Sequence, residues 1–198
     1  NRLSSRYWRG VLALQRQLQE SAASRGTPAE HFERLLQQLA ALAGYADTDM
    51  TRDESWHAMQ LGRAIERAQF LCAMFEAPLA GTSAARPEVL EWLLAVCDSL
   101  TAYRESYPGA PQLDAVLALL LGDERQPGSL AFHANQVREH LGALLSNPAE
   151  AGGQLAPLPA SGTDMAALRQ ALAGFAESTA TLSDRFTVRF FAHIDEDT

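Results

Sequence analysis

Three charged residues, Arg63, Glu66 and Arg67, fall within an apolar stripe of one predicted helix. Burying an ion costs several kcal/mol unless it is paired, so charges on such a face need partners or a cleft. Arg63 and Glu66 are three residues apart and can touch on a helix. We therefore expect these charges to lie inside the fold or along a cleft. At about 100° per residue, the apolar members of the stripe are Trp56, Met59, Phe70 and Met74.

Two polar residues extend this pattern on other predicted helices. Arg104 continues one apolar stripe and His133 lies within another, so we expect Arg63, Glu66, Arg67, Arg104 and His133 to meet in one polar cluster. In one interpretation the cluster is a buried ion network that fixes helix register. In the other it lines a cleft, where the planar forks of arginine bind a carboxylate or a phosphate. A plain solvated face is the third interpretation.

The remaining residues predict no catalytic or metal centre. The adjacent pairs Glu30-His31 and Glu139-His140 each point to different faces of a helix, so we expect no metal and no cofactor. Cys72 and Cys97 lie on apolar faces and are predicted to be inert core residues. The chain contains no lysine, which excludes a Walker-type phosphate loop, and no Gly-x-Ser-x-Gly elbow.

The elements that must position these residues are predicted to be helices. Alanine and leucine dominate and β-branched residues are sparse, which favours helices over strands. Capping boxes mark starts at Thr27 and Thr51, and Gly44 predicts a stop. A Gly/Pro/Ser-rich stretch over 147–162 predicts an exposed loop, and the acidic tail 194–198 is expected to fray. We expect an all-α, single-domain bundle over 1–198, with seven helices near 3–20, 27–43, 51–76, 87–106, 111–121, 127–145 and 164–192.

Composition and charge exclude several functions. The 198 residues carry 16 basic and 24 acidic side chains, for a net charge of −8. A chain of this charge without basic clusters is a poor candidate for binding nucleic acid. No apolar run reaches the roughly 18 to 20 residues that span a bilayer, so we expect no membrane partner. Two cysteines form no disulfide framework, which favours a cytoplasmic location.

The residues around the charged helix resemble a known family. The stretch from Asp53 to Ala68, with Trp56, Gly62 and the pair Glu66-Arg67, resembles the signature of the Alpha-E family, a helical domain with a Glu-Arg motif. The resemblance implies that Glu66 and Arg67 are the signature pair and that Asp53, Trp56 and Gly62 surround it. It implies no catalytic residues. Further similarity lies in Trp92, Ala102-Tyr103-Arg104, Leu119-Leu120-Leu121, Asp123, Pro127 and Ser129.

The resemblance also carries an expectation about function. Alpha-E domains occur beside, or fused to, circularly permuted ATP-grasp ligases and transglutaminase-like proteins. The chain is thus expected to be a non-catalytic accessory domain that acts with an ATP-grasp-type ligase in peptide or amide-bond formation or modification. Because Alpha-E proteins are longer and carry an earlier Glu-Arg helix, the resemblance implies that this is the C-terminal portion of such a domain, truncated at its N-terminus.

Two alternatives remain open from the residues themselves. The first is a small enzyme or ligand-binding domain, with Glu66 as an acid, a base or a hydrogen-bond acceptor. In that case Arg63, Arg67 and Arg104 would hold an anionic substrate. The second is a self-associating module such as a homodimer, since helical fragments with an exposed seam often pair.

Overall fold

The computed structural model describes residues 4–20, 27–79, 85–145, 155–158 and 164–191. Every regular element in these ranges is helical, which confirms the predicted all-α class. None of the helices described is long and apolar enough to cross a membrane. In chain order the elements are α1 (Ser5–Glu20), α2 (Pro28–Asp49), α3 (Glu54–Leu79), α4 (Pro87–Val96), α5 (Leu100–Ser106), α6 (Leu113–Leu117), a π-helical turn (Ala118–Gly122), α7 (Leu130–Leu144) and α8 (Met165–Phe191).

The chain divides into two compact units, Asn1–Trp56 and His57–Thr198. In the first unit, α1 packs against α2. The capping box at the start of α2 is present as predicted. The Thr27 hydroxyl accepts the Glu30 backbone N–H at 3.3 Å, and the Glu30 carboxylate accepts the Thr27 N–H at 3.2 Å. The expectation of a single domain over 1–198 stays a prediction.

The second unit contains a continuous apolar core. Residues of α3, α4, α5, α6, the π-helical turn, α7 and α8 contribute to it. Its largest fully buried side chains are Tyr103, Phe75 and Phe175. Cys72 and Cys97 are both buried free thiols within this core, which confirms their predicted positions. Burial of this apolar surface is the main stabilising contribution to the unit.

The helix α3 buries a different face from the one that its aromatic stripe predicts. Phe70 of that stripe is 38% exposed, and Arg63, Glu66 and Arg67 are exposed beside it. Of the two expected positions, inside the fold or along a cleft, the first is therefore wrong for these three charges. The true core face is wider and carries no charge, so it packs at no desolvation cost. Its members are Leu61, Ala64, Ile65, Ala68, Leu71, Cys72, Phe75 and Leu79.

Several predicted helices have different boundaries in the structure. The helix α3, expected over 51–76 from a capping box at Thr51, begins at Glu54 after an Asp53 cap and continues through Pro78 to Leu79. The helix α2 continues through Gly44 to Asp49, so this glycine is not a stop. The single helix expected over 87–106 is two helices, α4 and α5, because the chain turns between Val96 and Leu100. The helix expected over 111–121 is a short α6 followed by the π-helical turn.

Two predicted irregular segments are only partly described. Of the loop expected over 147–162, the structure describes 155–158, which is not helical. Leu155 is buried there, and the Ala156 N–H donates to the Ser178 hydroxyl of α8 at 3.1 Å. The remainder of that loop and the tail 194–198 lie outside the described residues.

Candidate functional site

Three of the five predicted site residues line one cavity of the second unit. Arg63 and Arg67 of α3 and His133 of α7 border a cavity of about 710 Å³. Glu66 and Arg104 do not border it, and both are exposed. The prediction of a buried ion network is wrong, because all four charged members are exposed. We call this space the arginine cavity, and its charged and polar lining residues include Arg63, Arg67, Asp98, Glu105, Gln126 and His133.

Arg104 misses the cavity because the helix expected to carry it is interrupted. The helix α4 ends at Cys97 in a Schellman motif, in which the Asp98 N–H donates to the Ala95 carbonyl at 3.1 Å and the Ser99 N–H to the Leu94 carbonyl at 2.8 Å. Asp98 takes a left-handed conformation, with φ of 50°. This turn changes the direction of the chain, so α5 starts with a new helical phase. As a result Asp98 and Glu105 border the cavity.

A second loop packs tightly against this corner and forms another wall. Gly128 lies so close that a Cβ atom there would overlap the Cys97 carbonyl oxygen and the Ser99 hydroxyl. The buried Ser99 hydroxyl donates to the Cys97 carbonyl at 2.9 Å and accepts the Gln126 side-chain amide at 2.8 Å. The backbone at Gly128 therefore packs directly against the backbone of the turn from Cys97 to Ser99. This wall of the cavity is fixed by hydrogen bonds within the chain.

The same loop sets the start of α7. The Ser129 hydroxyl accepts the Phe132 N–H at 3.1 Å, which is an N-cap, and donates to the Asp123 carbonyl. The Asp123 carboxylate in turn accepts the Arg125 N–H at 2.9 Å. Because α7 begins in this connected turn, the position of His133 in its first turns is fixed as well.

His133 is a neutral group in this setting. It is half-buried, and burial lowers the pKa of its imidazole. A hydrogen bond to the Pro127 carbonyl opposes the lowering, and the positive charge of Arg67 adds to it. Cys97 borders the same cavity, and burial raises the pKa of its thiol to about 11. At neutral pH the cavity therefore holds a neutral imidazole and an undissociated thiol.

Charged groups of both signs border the cavity without closing on one another. Arg63 and Arg67 supply positive charge, and Asp98 and Glu105 supply negative charge. Among the described residues no ion pair joins any two of these four. Arg63 donates to the Gln60 side-chain oxygen at 3.2 Å, a neutral acceptor. The cavity can therefore offer both kinds of charge to a ligand.

Sequence reasoning missed several residues of this site. Asp98 and Glu105 were not expected there, because the segment from Cys97 to Ser99 holds no glycine or proline that would mark a helix break. The Pro127-Gly128 dipeptide does carry a turn signal, but close packing of a glycine against a distant turn is not readable from one segment. The role of Gln126 depends on that same packing.

Two of the three residues expected to surround the Glu-Arg pair, Asp53 and Trp56, have structural roles. The Asp53 carboxylate caps α3 by accepting the backbone N–H groups of Ser55 and Trp56 at 3.0 Å and 3.1 Å. The Arg52 guanidinium stacks over the Trp56 ring, 4.0 Å from its centroid. Gly62 has open space around it, since a Cβ atom there would meet nothing within 4 Å. None of these residues borders the arginine cavity.

The second unit has two further features of interest, a pair of histidines and a second groove. His57 and His140 join α3 to α7 through an Nδ1–Nδ1 hydrogen bond of 3.1 Å, and burial lowers the pKa of His140. In the described part of the chain, no group of three or more His, Cys, Asp or Glu side chains could hold a metal ion. A second concave site of about 640 Å³, which we call the α3–α8 groove, is lined by residues that include Cys72, Ala73, Glu76, Arg169, Ala173 and Ala176.

Comparisons with known proteins agree with the Glu-Arg signature. Residues 1–191 match the Alpha-E family, described as a predicted alpha-helical domain with a conserved ER motif. An uncharacterized protein of Mycobacterium bovis and uncharacterized proteins of two strains of Mycobacterium tuberculosis are each 32% identical over 105 residues. That stretch is 52% of this chain and 12% of each relative, so the chain spans a small part of their length. No solved structure matches. Since the family match extends over nearly the whole sequence and includes Glu66-Arg67, the chain belongs to the Alpha-E family.

Proposed function

We propose that this chain is a non-catalytic ligand-binding domain that acts with an ATP-grasp-type ligase in peptide or amide-bond formation or modification. The observation that carries the binding function is the arginine cavity. Its volume of about 710 Å³ lies within the range of roughly 300 to 1,000 Å³ that is typical of small-molecule sites. Two arginines border it, and neither is held in an ion pair among the described residues.

The chemistry of the two arginines favours a carboxylate ligand. Arg63 and Arg67 are four residues apart on α3, so their side chains leave the same face of the helix. Each guanidinium presents a planar fork of N–H donors that matches the two oxygens of a carboxylate. Amide-bond formation consumes a carboxylate and an amine, so a domain that holds a carboxylate fits such a reaction.

The groups around the cavity favour binding over catalysis. The Cys97 thiol, with its pKa raised to about 11, is a poor nucleophile at neutral pH. His133 donates to the Pro127 carbonyl, so its ring is oriented by the loop and not by a catalytic carboxylate. Glu66, the acid or base of the alternative enzyme hypothesis, does not border the cavity. No nucleophile and base pair with hydrogen-bonding geometry is present among the described cavity residues.

The ligase partnership is supported by family membership. The chain belongs to the Alpha-E family, and the resemblance to that family implies a place beside ATP-grasp ligases and transglutaminase-like proteins. Its curated relatives are much longer than the region that matches. A binding domain without a reaction of its own requires a partner that performs one. The ligase supplies that reaction in this proposal, and the arginine cavity supplies the ligand site.

Binding at the cavity is tested with N-acetylglycine, a small ligand with a carboxylate and no ammonium group. We expect saturable shifts in the ¹H–¹⁵N spectrum of the chain, and a loss of affinity in Arg67→Gln. Arg104→Gln is the matched control, because Arg104 is an exposed arginine that does not border the cavity. Equal weakening in both variants, or no binding by the parent chain, would overturn the binding function.

The partnership needs a separate measurement. The purified ATP-grasp-type ligase from the genome that encodes this chain should sediment with it as a complex in analytical ultracentrifugation. Two independent species at tens of micromolar would contradict the partnership and leave the binding function standing.

A further inference from the structure

We propose that the natural ligand of the arginine cavity is dipolar: a short peptide that carries a free ammonium group as well as a carboxylate. This inference rests on the proposed function and names its ligand class. It is carried by two acidic residues that were not expected at the site. Asp98 and Glu105 border the same cavity as Arg63 and Arg67, and none of the four is closed into an ion pair among the described residues.

Asp98 stands at a position where glycine is the usual residue. It occupies the left-handed residue of the Schellman motif that ends α4, with φ of 50°. Glycine is the usual residue there, because it has no Cβ atom to clash in this conformation. The Asp98 side chain makes no hydrogen bond or ion pair with the described residues that would offset this cost. Its carboxylate therefore contributes charge to the cavity wall and nothing to the turn.

Glu105 gives a second, independent carboxylate from a different element. It lies on α5, one turn after Thr101, which also borders the cavity. The adjacent Arg104 points elsewhere and forms no ion pair with it among the described residues. The cavity thus has acidic groups on α5 and on the corner before it, and basic groups on α3. A ligand with opposite charges at its two ends matches a cavity whose basic and acidic groups come from different helices.

The neutral polar groups that border the same cavity suit a peptide. The Gln126 side chain donates its amide N–H to Ser99, which fixes its orientation and leaves its carbonyl oxygen available to accept a peptide N–H. The neutral ring of His133 borders the same space. A volume of about 710 Å³ exceeds what a single small amino acid fills, so a chain of a few residues is the better match.

The test compares three probes of the same length in NMR titrations of the intact chain: triglycine, N-acetyltriglycine and triglycine amide. Triglycine carries both charges, and each of the other two lacks one. Exposed charge pairs contribute modestly, so we expect triglycine to bind about two- to fivefold tighter than either blocked peptide. In Asp98→Asn and Glu105→Gln that advantage over N-acetyltriglycine should shrink, while binding of N-acetyltriglycine itself stays the same.

The variants separate this inference from the proposed function. Asparagine tolerates the left-handed conformation, so Asp98→Asn is expected to fold, and Glu105→Gln gives the same test at a helical position. Glu66→Gln is the control, because Glu66 is an exposed acid outside the cavity. Equal binding of triglycine and N-acetyltriglycine, or an advantage that survives both variants, would overturn the dipolar ligand alone. If none of the three probes binds, the proposed function fails with it.

Discussion

The arginine cavity and the α3–α8 groove lie on different faces of the same helix and are built differently. The cavity is walled by a helix corner and a loop, with Gly128 packed on the Cys97 carbonyl. The groove runs between two regular helices and is lined largely by small residues, such as Ala73 and Ala173. Each has a similar volume, about 710 Å³ and 640 Å³.

The difference shows why volume alone does not identify a binding site. Two helices with alanines on their facing sides leave a groove as a consequence of small side chains. Both spaces are bordered by charges of opposite sign, which in the groove are Glu76 and Arg169. The cavity, in contrast to the groove, also has an aspartate in a left-handed conformation and a loop fixed by hydrogen bonds. A non-glycine residue in the left-handed conformation costs stability, and such positions cluster where a ligand is bound.

The largest expected effect compares a glycine of the cavity wall, Gly128, with Gly174 of α8, one of the two helices that border the groove. In Gly128→Ala the new Cβ would overlap backbone of the α4–α5 corner, which cannot move as a side chain does, so we expect a loss of about 3 kcal/mol or more. Gly174 of α8 has nothing within 4 Å, so Gly174→Ala should gain up to about 1 kcal/mol from helix propensity. Urea unfolding measures both, and equal effects would contradict the rigid corner.

A smaller effect is expected from the buried hydroxyls on the two sides. Ser99→Ala removes an acceptor for Gln126 and a donor to Cys97, so we expect a loss of about 1 to 3 kcal/mol. Thr179 of α8 is equally buried, and the one hydrogen bond of its hydroxyl with the described residues is to the Ala176 carbonyl of its own helix at 2.8 Å. Thr179→Val should therefore cost less than about 1 kcal/mol in the same assay. A larger loss in Thr179→Val would show that the corner is not the more constrained region.

The cavity side should also make stability depend on pH. Burial lowers the pKa of His133, and also that of His140 in the second unit, below the ordinary value of 6.5. The unfolded chain therefore binds more protons than the folded chain once the pH drops below about 6.5. The free energy of unfolding should therefore be highest above pH 6.5. It should fall as the pH decreases from 6.5 toward the lower pKa values that the two histidines have in the folded chain. Urea unfolding at a series of pH values measures how steeply the free energy of unfolding depends on pH. His133→Gln should make this dependence less steep, and an unchanged dependence in that variant would contradict the account.

The smallest difference is expected between the two thiols, one in each site. Cys97 borders the cavity and Cys72 the groove, and burial raises the pKa of both to about 11. Because the thiolate is the reactive form, iodoacetamide should modify both slowly in the folded chain at neutral pH and rapidly in urea. Mass spectrometry of single Cys→Ala variants resolves the two. Fast labelling of Cys97 in the folded chain would indicate an activated thiol. That result would contradict the non-catalytic proposal and favour the enzyme hypothesis.

Local sequence signals predicted much of the fold. The capping box at Thr27 starts α2, and the alanine- and leucine-rich composition gives helices throughout the described residues. Pro87 marks the first turn of α4. These signals act within a few residues of one another, so a single sequence contains them in full.

Long-range packing decided what the sequence did not predict. On α3, two apolar faces compete at helical spacing, and the wider one around Leu61 and Phe75 packs into the core. The break at Asp98 is held by the Ser99–Gln126 contact, which joins residues 27 positions apart. For that reason the types and spacing of Arg63, Arg67 and His133 were enough to predict that they lie near one another. The same reasoning predicted Arg104 at the cavity, where the structure has Asp98 instead.

The central claim is that a carboxylate binds between the arginines of α3 and not in the α3–α8 groove. A crystal structure of the chain soaked with N-acetylglycine tests this most directly. We predict the carboxylate within hydrogen-bonding distance of the Arg63 or Arg67 guanidinium, inside the arginine cavity. Density for the ligand beside Arg169 in the groove, or an empty cavity at saturating ligand, would contradict the account.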